Sequence, residues 1–323
     1  MFEKINEYLI YIHGVSQENN QNHRETYNSL HDGVTAVKRD FPNRADWVSA
    51  NRCDVEWGWH YDTQVSFEGD RLLAVAQEKF AERVFPQIEK TRDWTTNPVR
   101  LMLESLRELT IKGFSDMCYY ASRDGKNSIR ATVASQILQS IRQPLENNEP
   151  ISLTFLGHSA GSVVAFDFLF YLFAPQEILK QHEFIEIERY DVTAERVEDF
   201  RKLRHLAETG KIRVRRLITF GSPISMLAFR SNAVLEILAN GNKLNPSYHG
   251  LDLNPEGFGN PLPGARWLNF WDKDDFIAWP VTELMQDSPA VEDIYTDISD
   301  RTATVHNEYW KSKVMHEQIA ARW

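Results

Sequence analysis

Residues Ile151 to Phe173 read ISLTFLGHSAGSVVAFDFLFYLF, and this stretch decides the fold. Ile151 to Leu156 is a short run with little polar character on either side. Gly157-His158-Ser159-Ala160-Gly161 is a tight turn, and Ser162 to Phe173 is an apolar helix closed by Pro175. A strand apolar on both faces that feeds such a helix is what a buried parallel sheet requires. The longest apolar run, Val163 to Ala174, carries Asp167 and falls short of the roughly 20 residues of a membrane span, so it reads as a buried helix.

The same alternation extends outward in both directions. Tyr8 to Ile12 is a β-prone run ending at His13-Gly14, and the Asn- and Gln-rich residues after it read as a loop. A helix is predicted from about Glu25 to Arg39, stopped by Pro42, and a strand between Trp47 and Trp57. Helical spacing recurs over Asp70 to Gln87, Arg100 to Ile111 and Ile129 to Ile141. Beyond the central unit, Val214 to Phe220 and Trp267 to Trp271 read as strands, Asn232 to Ala239 as a helix, and Glu308 to Ala321 as the last helix.

Strands alternating with helices predict an α/β fold, a mainly parallel central sheet with helices on both faces. The expectation is a single domain over residues 1–323, with helical and loop insertions at about 176–211 and 240–264 that could serve as a lid.

Composition narrows the function. The chain has 323 residues and a formal net charge of −10. That argues against a nucleic-acid partner, which needs a basic footprint. It also gives no support for docking on anionic lipid. Cys53 and Cys118 lack zinc-type spacing and read as two reduced thiols. The N-terminus lacks the basic start and uninterrupted apolar run of a signal peptide, so a cytoplasmic location is expected. Neither a metal nor a cofactor is called for, and the oligomeric state is left open.

Gly157-x-Ser159-x-Gly161 is weak as a bare pattern, but its strand–turn–helix setting gives it weight. The turn would hold the serine in a strained backbone conformation, with glycines where side chains would collide with strand and helix. The hydroxyl would then stand above the carboxyl edge of the sheet, at a helix N-terminus.

Ile151 to Phe166 resembles the nucleophile elbow of the α/β-hydrolase superfamily, particularly its lipase and esterase branches. The resemblance implies a serine–acid–histidine triad in that chain order, an oxyanion hole and ester substrates. Tyr11-Ile12-His13-Gly14-Val15 is similar to the His-Gly loop of lipases. Carried over, the oxyanion donors are the N–H groups of Val15 and Ala160, with Gly14 allowing close approach. His13 and His158 read as structural.

The implied order demands a histidine downstream of the acid. Only His306 and His316 lie beyond the acidic loop, and His306 is favoured because it precedes the final helix, whereas His316 reads as a surface residue. For the acid, Asp275 fits the family pattern best, before Phe276-Ile277 and Pro280. Asp272 and Asp274 are the alternatives.

The expected activity is hydrolysis of a small-molecule or lipid carboxylic ester. A thioesterase or amidase on the same scaffold is the alternative, and a non-enzymatic interaction protein the third possibility. Trp57, Trp59, Tyr61, Phe258, Trp271 and Trp279 are candidates for an aromatic acyl pocket, with core packing the competing use.

Overall fold

The computed structural model describes residues 5–14, 23–37, 44–57, 79, 117–118, 120, 123–181, 194–228, 232–251, 266–286, 289–298 and 304–323. The helices expected over 70–87 and 100–111 lie outside them except for helical Lys79. The chain divides into two compact units. One comprises Met1–Gly14, Asn22–Val55 and Ala134–Trp323, and the other Val15–Gln21 and Glu56–Val133. The second unit carries buried Trp57, Tyr120, Ile129 and Val133.

The first unit holds a six-stranded, all-parallel sheet in the order β2-β1-β3-β4-β5-β6. The strands are β1 (Asn6–Ile12), β2 (Asn51–Val55), β3 (Ile151–His158), β4 (Ile212–Phe220), β5 (Trp267–Trp271) and β6 (Val291–Tyr295). Each face is a set of registered rows. Tyr11, Leu156, Ile218 and Leu268 are successive partners across one face, and Ile10, Phe155, Leu217 and Trp267 across the other.

Helices cover both faces. On the Leu156 face, α1 (His23–Thr35) contributes Tyr27, Leu30 and Val34, and the short α2 (Arg44–Ser49) contributes Trp47. They share one core with the C-terminal residues Met315, Ile319, Ala320 and Trp323. On the Phe155 face lies α3 (Ala160–Phe173), with Phe168 against Phe155 at 5.7 Å and Phe166 against Trp267 at 5.4 Å between ring centroids. Of these, the buried Phe155, Phe168 and Trp267 each contribute about 1.5–3 kcal/mol. The last carbonyls of α3 need outside donors. Arg204 of α4 (Ala194–Glu208) supplies them, donating to the carbonyls of Tyr171 and Ala174.

Three expectations need correction, and one strand, β6, has no counterpart among them. The segment predicted as a strand between Trp47 and Trp57 is split, Arg44–Ser49 being helical and only Asn51–Val55 extended. Strand β6 follows no apolar run, because VEDIY lies at the sheet's edge and buries only Val291 and Ile294. The last helix is broken into Val305–Glu308, a 3-10 turn at Tyr309–Lys311, and α5 (Lys313–Arg322), which Ser312 caps by accepting from the Met315 N–H. His316 is buried rather than on the surface. Its ring occupies the space a Cβ would take at Gly33 of α1, and its Nε2 donates to the Trp310 carbonyl at 2.9 Å.

Of the expected insertions, 182–193 and 252–265 lie outside the described residues. The rest contains the helix Gln176–Gln181, α4 and a 3-10 turn at Pro246–His249. Cys53 is buried and Cys118 exposed, both as free thiols. Among the described residues no helix is long and apolar enough to cross a membrane.

Candidate active site

Strand order locates the site. From β1 the chain passes to β2 on one side, and β3 then pairs with β1 on the other. A crevice opens at the carboxyl ends of strands where the order reverses in this way. Those ends are His13-Gly14 of the β1 segment and His158-Ser159 of the β3 segment.

Ser159 joins β3 to α3 with φ 51° and ψ −127°. Asn148 is the other non-glycine residue with positive φ among the described residues. Holding a serine there costs about 1–3 kcal/mol, so the surroundings must enforce it. They do so by close packing. A Cβ on Gly161 would lie 2.3 Å from the carbonyl oxygens of Ile12 and His13, and one on Gly157 would lie 2.6 Å from Ser162 Cα. The Ser159 N–H donates to the Phe220 carbonyl at 3.0 Å, which ties the turn to β4. Ser162 Oγ reaches both the Ser159 carbonyl and Ser222 Oγ.

Gly14 approaches the serine from β1. A side chain there would place its Cβ 2.6 Å from Ser159 Cβ, so the chain passes directly beside the hydroxyl-bearing carbon. Ala160 is the first residue of α3, and the leading N–H groups of a helix lack intrahelical partners. Val15 lies outside the described residues.

The histidine and the acid meet beside Gly221, at the end of β4. His306 Nδ1 lies 2.8 Å from Asp275 Oδ2, and both side chains are buried. A carboxylate only accepts, so Nδ1 carries the proton and Nε2 of the neutral ring is left as the basic nitrogen. The other Asp275 oxygen accepts from the Ile277 N–H at 3.1 Å. Burial pushes the Asp275 carboxyl upward, but the hydrogen bond and charge of His306, together with the Ile277 N–H, more than offset it. The net pKa lies below the ordinary 3.8.

The other aspartates do different work. Asp272 is fully buried and holds the loop, accepting from the N–H groups of Asp274 at 2.9 Å and Ile298 at 2.7 Å. Asp274 is partly exposed and sits 4.0 Å from Lys273. Of the three, Asp275 is the one bonded to His306.

Phe220-Gly221 links the two halves. Ser159 is bonded to Phe220, and a Cβ on Gly221, whose φ is +58°, would lie 3.1 Å from His306 Cε1. Ser159 Oγ has no hydrogen bond to His306 in this structure. Such contacts often tighten only once substrate is bound.

Sequence reasoning misses several participants. Gly221 is one, although Gly221-Ser222-Pro223 at a strand end is a visible signal. A second is a polar ladder across β4, β5 and β6. Thr219 Oγ1 donates to Asn269 Oδ1 at 2.8 Å, and Asn269 Nδ2 donates to Asp293 Oδ1 at 2.7 Å. Asp293 then accepts from the Val281 N–H and from the Thr282 N–H and hydroxyl, which anchors the end of the loop that carries Asp275. Asp293 sits in the strand that the apolar pattern does not reveal. Of the candidate pocket aromatics, Trp57 is buried, Trp271 is half-buried and Trp279 is exposed, as is Phe276 beside Asp275. Trp59, Tyr61 and Phe258 lie outside the described residues.

No protein-family model matches the chain, and no curated protein matches it.

Proposed function

We propose that this chain is a serine hydrolase that cleaves carboxylic esters through an acyl-enzyme. The observation that carries the reading is a buried histidine–carboxylate pair at the carboxyl edge, its histidine ring 4.7 Å from that of His158, the residue before a serine held at positive φ.

The chemistry follows from the groups present. Ser159 Oγ attacks the ester carbonyl carbon as His306 Nε2 takes its proton. Asp275 keeps the tautomer that leaves Nε2 free and stabilises the imidazolium. The Ala160 N–H, at the positive end of α3, is the proposed donor to the developing oxyanion. His306 returns the proton to the leaving alcohol. Water, activated by the same nitrogen, then releases the acid. Exposed Phe276 and Trp279 flank Asp275 and offer apolar surface to an acyl or alcohol group.

The test is labelling with a fluorophosphonate, which reports an activated serine regardless of substrate. Wild type is expected to label, while Ser159→Ala and His306→Ala remain unlabelled and folded. An unlabelled, well-folded wild type would remove the hydrolase reading. Turnover of p-nitrophenyl esters of graded chain length, against the matching anilides, separates esterase from amidase. Faster cleavage of the anilides would overturn the ester assignment.

A further inference from the structure

We infer that His158, the residue before the nucleophile, is a positioning residue for the general base: its Nε2–H holds the carbonyl of His306. This rests on the reading of His306 as the base.

His158 Nε2 lies 2.6 Å from the His306 carbonyl oxygen. A carbonyl only accepts, so the proton is on Nε2, and the neutral ring has a bare Nδ1. The ring is fixed on every side. It stacks on Phe220 at 5.3 Å, meets Trp310 edge-on at 5.5 Å, and lies 4.7 Å from the His306 ring. Gly221 closes the remaining side, since a Cβ there would lie 3.2 Å from both His158 Nε2 and His306 Nδ1.

His306 needs such a clamp. It sits in Val305–Glu308, a single helical turn, and a turn this short does not hold itself. His158, by contrast, is the last residue of β3, in the middle of the sheet. The elbow therefore positions two catalytic groups: the nucleophile through its backbone, and the base through the preceding side chain.

The clamp must also stay neutral. The titratable groups facing His158 are His306, Asp275 from the loop after β5, His23 from α1, and Tyr309 beside the ring. Burial, followed by the charge of His306, pushes the His158 pKa down to about 3. A second imidazolium beside His306 would oppose the one formed during turnover, and a neutral donor does not.

The experiment compares His158→Phe, His158→Gln and Gly221→Ala with wild type. Fluorophosphonate labelling rates are measured across pH and expressed per folded molecule from thermal melts. His158→Phe keeps a flat ring but lacks the donor. Its labelling is expected to fall by about tenfold to a hundredfold, the scale of a misplaced catalytic group. Its acid-limb midpoint should also move down, because a loosened Asp275 stabilises the imidazolium less. His158→Gln, which carries an N–H at a similar reach, should recover most of the rate. Gly221→Ala should lower it by crowding both rings.

In wild type, histidine-selective 15N NMR should find His158 protonated on Nε2 and neutral down to pH 5. This reading stands even where His158→Phe does not fold. Unchanged labelling and midpoint in folded His158→Phe, or an Nδ1–H tautomer in wild type, overturns the inference while leaving the hydrolase reading intact. A wild type that does not label removes both.

Discussion

The sheet buries charge in two places, and the two are built differently. In its amino-terminal half, the register between β3 and β4 skips Arg215, a bulge that turns this side chain out of the ladder. Its guanidinium lies 3.3 Å from Glu7, 3.5 Å from Asp46 of α2, and 4.3 Å from the centre of the Trp323 ring. At the carboxyl edge, His306 and Asp275 form a pair buried on both sides, whereas the carboxylates facing Arg215 are partly exposed. The difference lies in what surrounds them. Arg215 is packed among partners, and the bulge absorbs the misfit. His306 lies against Gly221 and the ring of His158, and the residue after His158 is a serine held at positive φ with Gly14 against its Cβ. Buried ion pairs occur in structural networks as well as in active sites. Here the strain separates the two.

The sharpest way to break this comparison is to remove one charge at the carboxyl edge. Asp275→Asn is expected to cost about 10⁴-fold in labelling and turnover with little change in melting, because the wrong histidine tautomer is then favoured. Asp272→Asn should do the reverse. It replaces an acceptor that faces two N–H groups, so it should lower stability by about 2–3 kcal/mol and leave the rate per folded molecule within about tenfold. If Asp272→Asn is the variant that loses activity, the acid has been misassigned.

The amino-terminal half should answer in stability alone. Trp323 is buried, packs edge-on against Trp47 at 4.8 Å, and lies under Arg215. Trp323→Ala is expected to cost about 3–5 kcal/mol in denaturant unfolding. Labelling of the folded fraction should be unaffected. A selective loss of labelling would mean that the two regions are coupled.

The smallest effect is the most informative about the ion pair. Burial raises the Glu7 pKa above its ordinary 4.5, and Arg215 offsets this only in part. An acid raised on folding contributes stability at low pH and loses it as pH rises through the folded value. At pH 7 the neutral isostere should therefore be tolerated, with Glu7→Gln within about 1 kcal/mol of wild type. The decline of stability above pH 4.5 should flatten in this variant. Asp275 runs the other way. Its lowered pKa means that its contribution is present above the ordinary 3.8 and is lost as pH falls through the folded value. A large loss for Glu7→Gln at pH 7 would make the ion pair, rather than packing, the hold on this half.

Much of the fold is legible in the sequence because it obeys simple periodicity. The boundaries of β5 and of the helix Asn232–Ala239 coincide with the apolar runs that predict them. The elbow is legible for a steric reason, since glycines two residues to either side of a serine at a strand–helix junction leave room that larger side chains would fill. The chain order that favours His306 over His316 points to the histidine found bonded to an aspartate. What escapes are features set by neighbours distant in sequence. Strand β6 lies at an edge and needs little apolar character to pair. His316 is buried only because Gly33 leaves it room.

The sequence by itself determined the alternation of strands and helices, the turn at Ser159, and three aspartates competing for one role. Local spacing encodes those, because hydrophobic period and glycine placement act within a few residues. The tertiary structure alone decided which aspartate meets His306, that His158 reaches the carbonyl of a residue 148 positions away, and that Gly221 lies against both rings. Those are contacts between carboxyl ends of different strands. Their geometry comes from the order in which the strands are laid side by side, which no local pattern records.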